Sequence, residues 1–378
     1  LNSLAERLQS SEFQTLLPAY QREALSYLLR RGGEAYGRHS DFLKRRLLPH
    51  ARDSWALGRV EYKRRFALIY GNRVSLDDLV LDAETELHRV KEEMIALSRR
   101  LRPDLSPGEV LESLRRKYPA TEKELITAYA QVQKKIDDNI TKQMGLRVRP
   151  PSYLPSPPGV PVDSITNWPA PLLFRGDALV LVARSSGGLK DNALVELPWR
   201  AAHEGNPGHA AQSLLFQSAF NEGRAPLCRF LNVADEVGYV RGNWYAMANI
   251  EGWAFYTERL LLASELLTPE ERLAALTGQA LRAARVIVDI RLHTRGWSRA
   301  DVANYLVREA GLPIEAAEAQ ALRYSRIPLQ ALSYYFGARQ FEELHRKYGE
   351  RFGNTFYQQL LSLGAIPPML IDDYLKTL

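Results

Sequence analysis

The chain has 378 residues, of which 46% are hydrophobic, 25% charged and 10% aromatic, a globular composition that excludes a disordered or fibrous protein. Its single cysteine, Cys228, excludes an intramolecular disulfide and a cysteine-built zinc site. The net charge of +6 is modest, and the short basic runs Arg30-Arg31, Lys44-Arg46 and Lys63-Arg65 lie among acids on helical segments, so they read as solvated helix faces and no nucleic-acid partner is expected. No stretch approaches the roughly 18 apolar residues of a transmembrane helix. The sequence starts at Leu1 with no charged leader before an apolar run, as a processed protein also would, so this says nothing about compartment; the cytoplasm is slightly favoured and a secreted or periplasmic location stays open.

The first 145 residues read as helices. Leu76, Val80, Ala83, Leu87, Val90, Met94, Leu97 and Leu101 form one apolar stripe, started by Ser75 with Asp78 and stopped by Pro103. Thr121 with Glu124 opens a further helix that runs to about Met144. Eight prolines between Pro150 and Pro171 predict an extended crossover there, because proline fits neither a helix interior nor a central strand. The best strand candidate is Ala178-Leu-Val-Leu-Val-Ala183, bounded by Gly176-Asp177 and by Ser185 to Gly188. Its unbroken apolar run predicts burial on both faces with one edge left unpaired beside the functional site, and Tyr334 across from it. From Pro198 the pattern is helical again: Thr268-Pro269-Glu270-Glu271 starts a helix that runs to about Arg295, and Ser298 with Asp301 caps the next. The expectation is a mainly α protein with a small β-sheet near the middle, divided into a helical region 1–149 and a region 150–378 that carries the chemistry.

Two of the seven histidines fall in His203-Glu204-Gly205-Asn206-Pro207-Gly208-His209. Two imidazoles can hold a zinc ion while the glutamate beside the first takes a proton from the attacking water. The six-residue separation, however, turns the two side chains about 120° apart on an unbroken helix at about 100° per residue. Pro207 cannot sit in a regular helix, since its ring meets the carbonyl of His203, so the helix must bulge or break. A bulge would bring His209 back to the face of His203. Alternatively, Asn206 caps a new helix and His209 is a core or anion-facing residue. Glu251, in Glu251-Gly-Trp-Ala-Phe-Tyr-Thr-Glu258, sits in apolar company where a lone carboxylate is costly; metal ligation or a buried ion pair with arginine would each account for it. Glu258, close to two turns on, shares that face and could orient a histidine or be a surface charge.

These residues resemble the bacterial "domain of unknown function 885" family, whose hallmark is His-Glu-x-x-Pro-Gly-His followed by Glu-Gly-Trp-Ala. The stretches Arg285 to Asp289 through His293 to Ser298, Pro328-Leu-Gln330 through Tyr334 to Gly337, and Leu360 to Pro367 are similar to it as well. The resemblance implies a zincin-like helical metallopeptidase fold akin to thimet oligopeptidases and Taq-type carboxypeptidases, with residues 1–149 forming one wall of the cleft and the sheet beside the active-site helix. It implies one zinc ion held by His203, His209 and Glu251, with Glu204 as general base and a peptide or small amide as substrate. Around that set, Tyr334 is a candidate hydrogen-bond donor to the oxyanion and His293 a further catalytic candidate. Arg285 and Gln330 are candidates for substrate binding, and Glu258 and Asp289 for support of the ligands. Arg285, Asp289 and His293, spaced by four, could equally be an ion-pair ladder on one helix ridge. The second functional reading is a non-catalytic helical binding protein that retains the fold.

Overall fold

The computed structural model describes residues 18–51, 55–157, 165–168, 176–183, 189–222 and 247–377. They divide into two compact units, residues 1–55 and 56–378. The first contains α1 (Ala19–Phe42). The second begins with α2 (Arg59–Tyr70), α3 (Leu76–Leu101), α4 (Pro107–Arg115) and α5 (Glu122–Ile136). Three short strands follow, β1 (Ser152–Pro155), β2 (Ile165–Trp168) and β3 (Leu179–Val182). Then come α6 (Leu197–Glu204), α7 (His209–Asn221), α8 (Met247–Ala263), α9 (Pro269–Thr294), α10 (Arg299–Ala310) and α11 (Ile314–Arg326). The last three are α12 (Ser333–Phe352), α13 (Phe356–Ser362) and α14 (Pro368–Leu375). No helix among the described residues is long and apolar enough to cross a membrane.

The helix starts lie where the caps place them. The hydroxyls of Ser75 and Thr121 accept from the amides of Asp78 and Glu124, and Thr268 with Glu271 and Ser298 with Asp301 form reciprocal capping boxes. The striped face of α3 buries Leu76, Ala83, Leu87 and Val90 and packs along α9, which is buried over most of its length. That packing places residues 56–149 in the same compact unit as the rest.

The sheet corrects two expectations. Its order is β1-β3-β2, with β3 in the middle: Ser152 to Pro155 pairs in parallel with Leu179 to Val182, and Ile165 to Trp168 pairs antiparallel with the same strand. The apolar run at 178–183 therefore has both edges occupied. Val180 and Val182 are fully buried, as suits a strand covered on both faces and both sides. The proline-rich segment contributes the two outer strands and is not merely a crossover; Pro155 ends β1, a position that asks nothing of its missing N–H. The loop expected at Ser185 to Gly188 lies outside the described residues.

Candidate metal centre

The chain between the two histidines breaks instead of bulging. α6 ends at Glu204, a turn follows with a cis Asn206–Pro207 bond, and α7 begins at His209. The turn is held from two distant elements. On α5, the Gln133 side chain donates to the Asn206 carbonyl at 2.9 Å and accepts from the Asn206 amide at 3.2 Å, and the Tyr153 hydroxyl fixes the Gln133 oxygen at 2.8 Å. On α8, the Trp253 indole donates to the Pro207 carbonyl at 2.9 Å, and the Thr257 hydroxyl to the Ala202 carbonyl at 2.8 Å. Only glycine fits at two positions of the turn: a Cβ on Gly205 would overlap the Gln133 oxygen, and one on Gly208 would overlap the carbonyl of His203. The result sets the two imidazole rings 4.8 Å apart, edge to face.

Glu251 joins them. One of its oxygens lies 3.5 Å from Nε2 of His203 and 3.6 Å from Nε2 of His209. One ligand atom from each of the three residues falls within 4.8 Å of the others, a compact N, N, O set of the kind that holds zinc. Nδ1 of His203 is held by Glu258 at 2.7 Å, and Glu258 in turn accepts from Nη2 of Arg282 at 3.0 Å. A carboxylate on the far nitrogen fixes the ring orientation and leaves Nε2 to face the cluster. Burial alone would lower the pKa of His203, but the hydrogen bonds to Glu251 and Glu258 outweigh it and raise the value to about 10. Burial likewise pushes Glu251 up, and the two histidines more than reverse it, holding the carboxyl well below the usual range.

Glu204 faces the sheet. Its carboxylate accepts from the Asn167 backbone amide of β2 at 2.6 Å, and the Asn167 side chain reaches the Glu204 carbonyl at 3.2 Å. The strand beside the site is thus β2, and its edge away from β3, which pairs with no other strand among the described residues, meets the glutamate. Tyr334 stacks on His203 with ring centroids 6.3 Å apart and an interplanar angle of 19°. It is placed there by a close crossing of α8 and α12, where Gly252 meets Gly337; a Cβ on Gly337 would overlap the Ala248 carbonyl. Burial, then the negative charge of Glu251, raise the pKa of the Tyr334 phenol, so it stays a donor at neutral pH.

Among the described residues the ridge on α9 forms no ion-pair ladder, and the described hydrogen bonds of its three members run to other elements. Nε of Arg285 donates to the Tyr324 hydroxyl at 2.9 Å, and its guanidinium carbon lies 5.0 Å from the centroid of the Tyr334 ring. Asp289 accepts from the Tyr62 hydroxyl and from the Leu329 amide, the latter at 3.0 Å, so it braces α2 and the turn before α12 instead of a ligand histidine. His293 is 1% exposed, contacts the Tyr324 carbonyl through Nε2 at 3.0 Å and stacks on Tyr62, neither of which belongs to the cluster. Gln330 accepts from Arg323 at 3.0 Å. Sequence reading missed Gln133, Trp253, Asn167 and Arg282. Trp253 stood inside the recognised motif, and Arg282 stood three residues before Arg285, one helical turn away. The other two carry no local signal.

Fold and cluster together define a mainly helical protein with a small mixed sheet and a His–His–Glu site of metal-ligand type. The chain belongs to the family described as "Bacterial protein of unknown function (DUF885)", which it matches over residues 2–375. No curated protein matches it. Among solved structures it is similar to a lipoprotein candidate of unknown function from Shewanella oneidensis, at 20% identity and a TM-score of 0.69, over 99% of this chain and 70% of that one. It is similar also to a lipoprotein candidate from Colwellia psychrerythraea, at 20% identity and a TM-score of 0.75, over 100% of this chain and 66% of that one. The chain thus spans about two thirds of the length of the second neighbour.

Proposed function

We propose that the chain is a zinc-dependent hydrolase of peptide or related amide bonds, with the helical zincin-like arrangement of a metallopeptidase. The observation that carries this reading is the convergence of His203, His209 and Glu251 on one point, with Glu258 behind His203 and Glu204 next to it in sequence. A zinc ion there would polarise the scissile carbonyl and acidify water. Glu204 takes the proton of the attacking water and returns it to the leaving amine. Tyr334 donates a hydrogen bond from its hydroxyl to the carbonyl oxygen as charge develops on it. The edge of β2 away from β3, unpaired among the described strands, offers main-chain groups along which an extended peptide lies, independently of its sequence; the Asn167 amide, which faces that side and is held by Glu204, ties this edge to the proposed base.

The test is elemental analysis of protein exposed to zinc and then dialysed, followed by digestion of a peptide library. The expected results are about one zinc per chain and cleaved peptides. Glu204→Gln should keep its zinc and lose about a hundredfold or more in turnover. A chain that takes up no zinc would instead be the non-catalytic binding protein, and full hydrolysis by Glu204→Gln would remove that residue from the mechanism.

A further inference from the structure

A guanidinium withdrawn from water normally brings its counter-charge with it, because an ion buried without a partner loses its hydration and gains nothing in return. On α9, Arg282 obeys this rule: it is 7% exposed and pairs with Glu258 at 3.0 Å. Arg285, one turn on and 8% exposed, does not. Among the described residues it forms no ion pair, and its hydrogen bonds go to two neutral groups, the Tyr324 hydroxyl at 2.9 Å and the Gln320 side-chain oxygen at 3.4 Å. Arg323 on α11, half-buried, repeats the pattern: it donates to Gln330 at 3.0 Å and has no acidic partner among the described residues. The charges of both arginines are felt at Tyr334, the ring of which also stacks on the metal-site histidine His203. Two arginines with no ion pair among the described residues therefore lie side by side: Arg285 sits on the Tyr334 ring that stacks on His203, with the charge of Glu251 also reaching it, and Arg323 neighbours Tyr324, to whose hydroxyl Arg285 donates.

Resting on the hydrolase reading above, we propose that Arg285 and Arg323 form the subsite for the free α-carboxylate at the C-terminal end of a peptide, so that the chain trims peptides from that end. A carboxylate is the anion that a planar guanidinium binds best, through two parallel N–H donors. The distance also fits. One extended residue spans about 3.3–3.6 Å, so a carboxylate held beyond the Tyr334 ring leaves room for one or two residues after the cleaved bond. Water adds at that carbonyl, the C–N bond breaks, and the leaving amine takes the proton. The product is a free amino acid or a dipeptide, whose carboxylate is still bound by the arginines. Charge at this subsite selects the substrate, whereas the edge of β2 is indifferent to sequence.

The experiment uses the zinc-loaded chain and matched peptides that end in a free acid or in an amide, with products read by mass spectrometry. Cleavage should fall one or two residues from the C-terminus, and the acid should exceed the amide roughly a hundredfold in kcat/KM, the scale on which loss of a buried charge partner is felt. Arg285→Gln and, separately, Arg323→Gln should narrow that ratio mainly through KM, with Arg285→Lys restoring part of it. The comparison of acid with amide in the unaltered chain stands even if an arginine variant fails to fold. Equal cleavage of acid and amide, or internal cuts regardless of the end, would overturn the subsite and leave the hydrolase standing. So would an amide peptide restored to full rate by an aspartate or glutamate side chain near its end, since the anion would then be a side chain. Failure of the zinc-loaded chain to cut any peptide would overturn the hydrolase reading itself.

Discussion

At His203 two carboxylates act on one imidazole, and they do different things. Glu251 meets Nε2 inside the cluster, and Glu258 holds Nδ1 from behind while Arg282 holds Glu258. Removing the rear carboxylate leaves the ligand set intact and frees the ring to turn. Glu258→Gln should therefore weaken zinc binding about 10- to 100-fold, measured by competition with a chromogenic chelator. Asp289 makes a prediction of another kind. Burial raises its pKa to about 7, although the hydrogen bonds from Tyr62 and Leu329 pull the other way. Its carboxyl holds a proton more tightly folded than unfolded, so its contribution to stability is fully present below about pH 4 and is lost as pH rises through about 7, by at most about 4 kcal/mol. His293, whose pKa burial lowers, acts in the opposite sense, its contribution being lost as pH falls below about 6.5. Asp289→Asn keeps an acceptor for Tyr62 and Leu329 and should flatten the decline between pH 4 and 7; denaturant midpoints for both proteins across that range are the check. An identical pH profile in the two would show that Asp289 does not titrate there.

Among the elements, the crossing of α8 and α12 sets the site most directly. Gly252 and Gly337 let the two backbones touch, which brings Glu251 on one helix alongside Tyr334 on the other. Gly337→Ala should cost about 1–3 kcal/mol through overpacking and should also lower turnover by shifting Tyr334; thermal unfolding and a peptide assay read the two effects separately. Loss of stability with unimpaired turnover would mean that Tyr334 tolerates the shift. The helices themselves were legible in the sequence, since a cap such as Thr268 with Glu271 acts within one turn of chain. The candidate ligands were legible for the same local reason, as residue types at a telling spacing. The fate of that spacing was not: whether the segment bulges or breaks is decided by Gln133 and Trp253, which lie 73 and 46 residues from the groups they bind. The strand at 178–183 was equally readable, but its neighbours were not, because an apolar run says that a strand is buried and not which segments pair with it.

Across the whole molecule, the candidate functional groups come from far-separated stretches of one compact unit, with α5, α6, α7, α8, α9 and α12 each supplying part of the site. Several supporting contacts join residues more than two hundred positions apart, as Tyr62 with Asp289 and Tyr335 with Asp82 do. Such contacts form only after large loops close, which makes folding slow relative to the helices themselves. On the proposed reading, zinc capture should then act as a clock. In refolding from denaturant, helical circular dichroism should recover first, and the ability to bind zinc should appear only in the slowest phase. Simultaneous recovery of the two signals would show the cluster assembling early. During synthesis the same geometry sets an order of events: His203 and His209 leave the ribosome well before Glu251, and Tyr334 later still. A nascent chain therefore carries the two histidines for some time without their third partner, and on the proposed reading a metal ion could be held by all three only after Glu251 has been made and has folded back onto them.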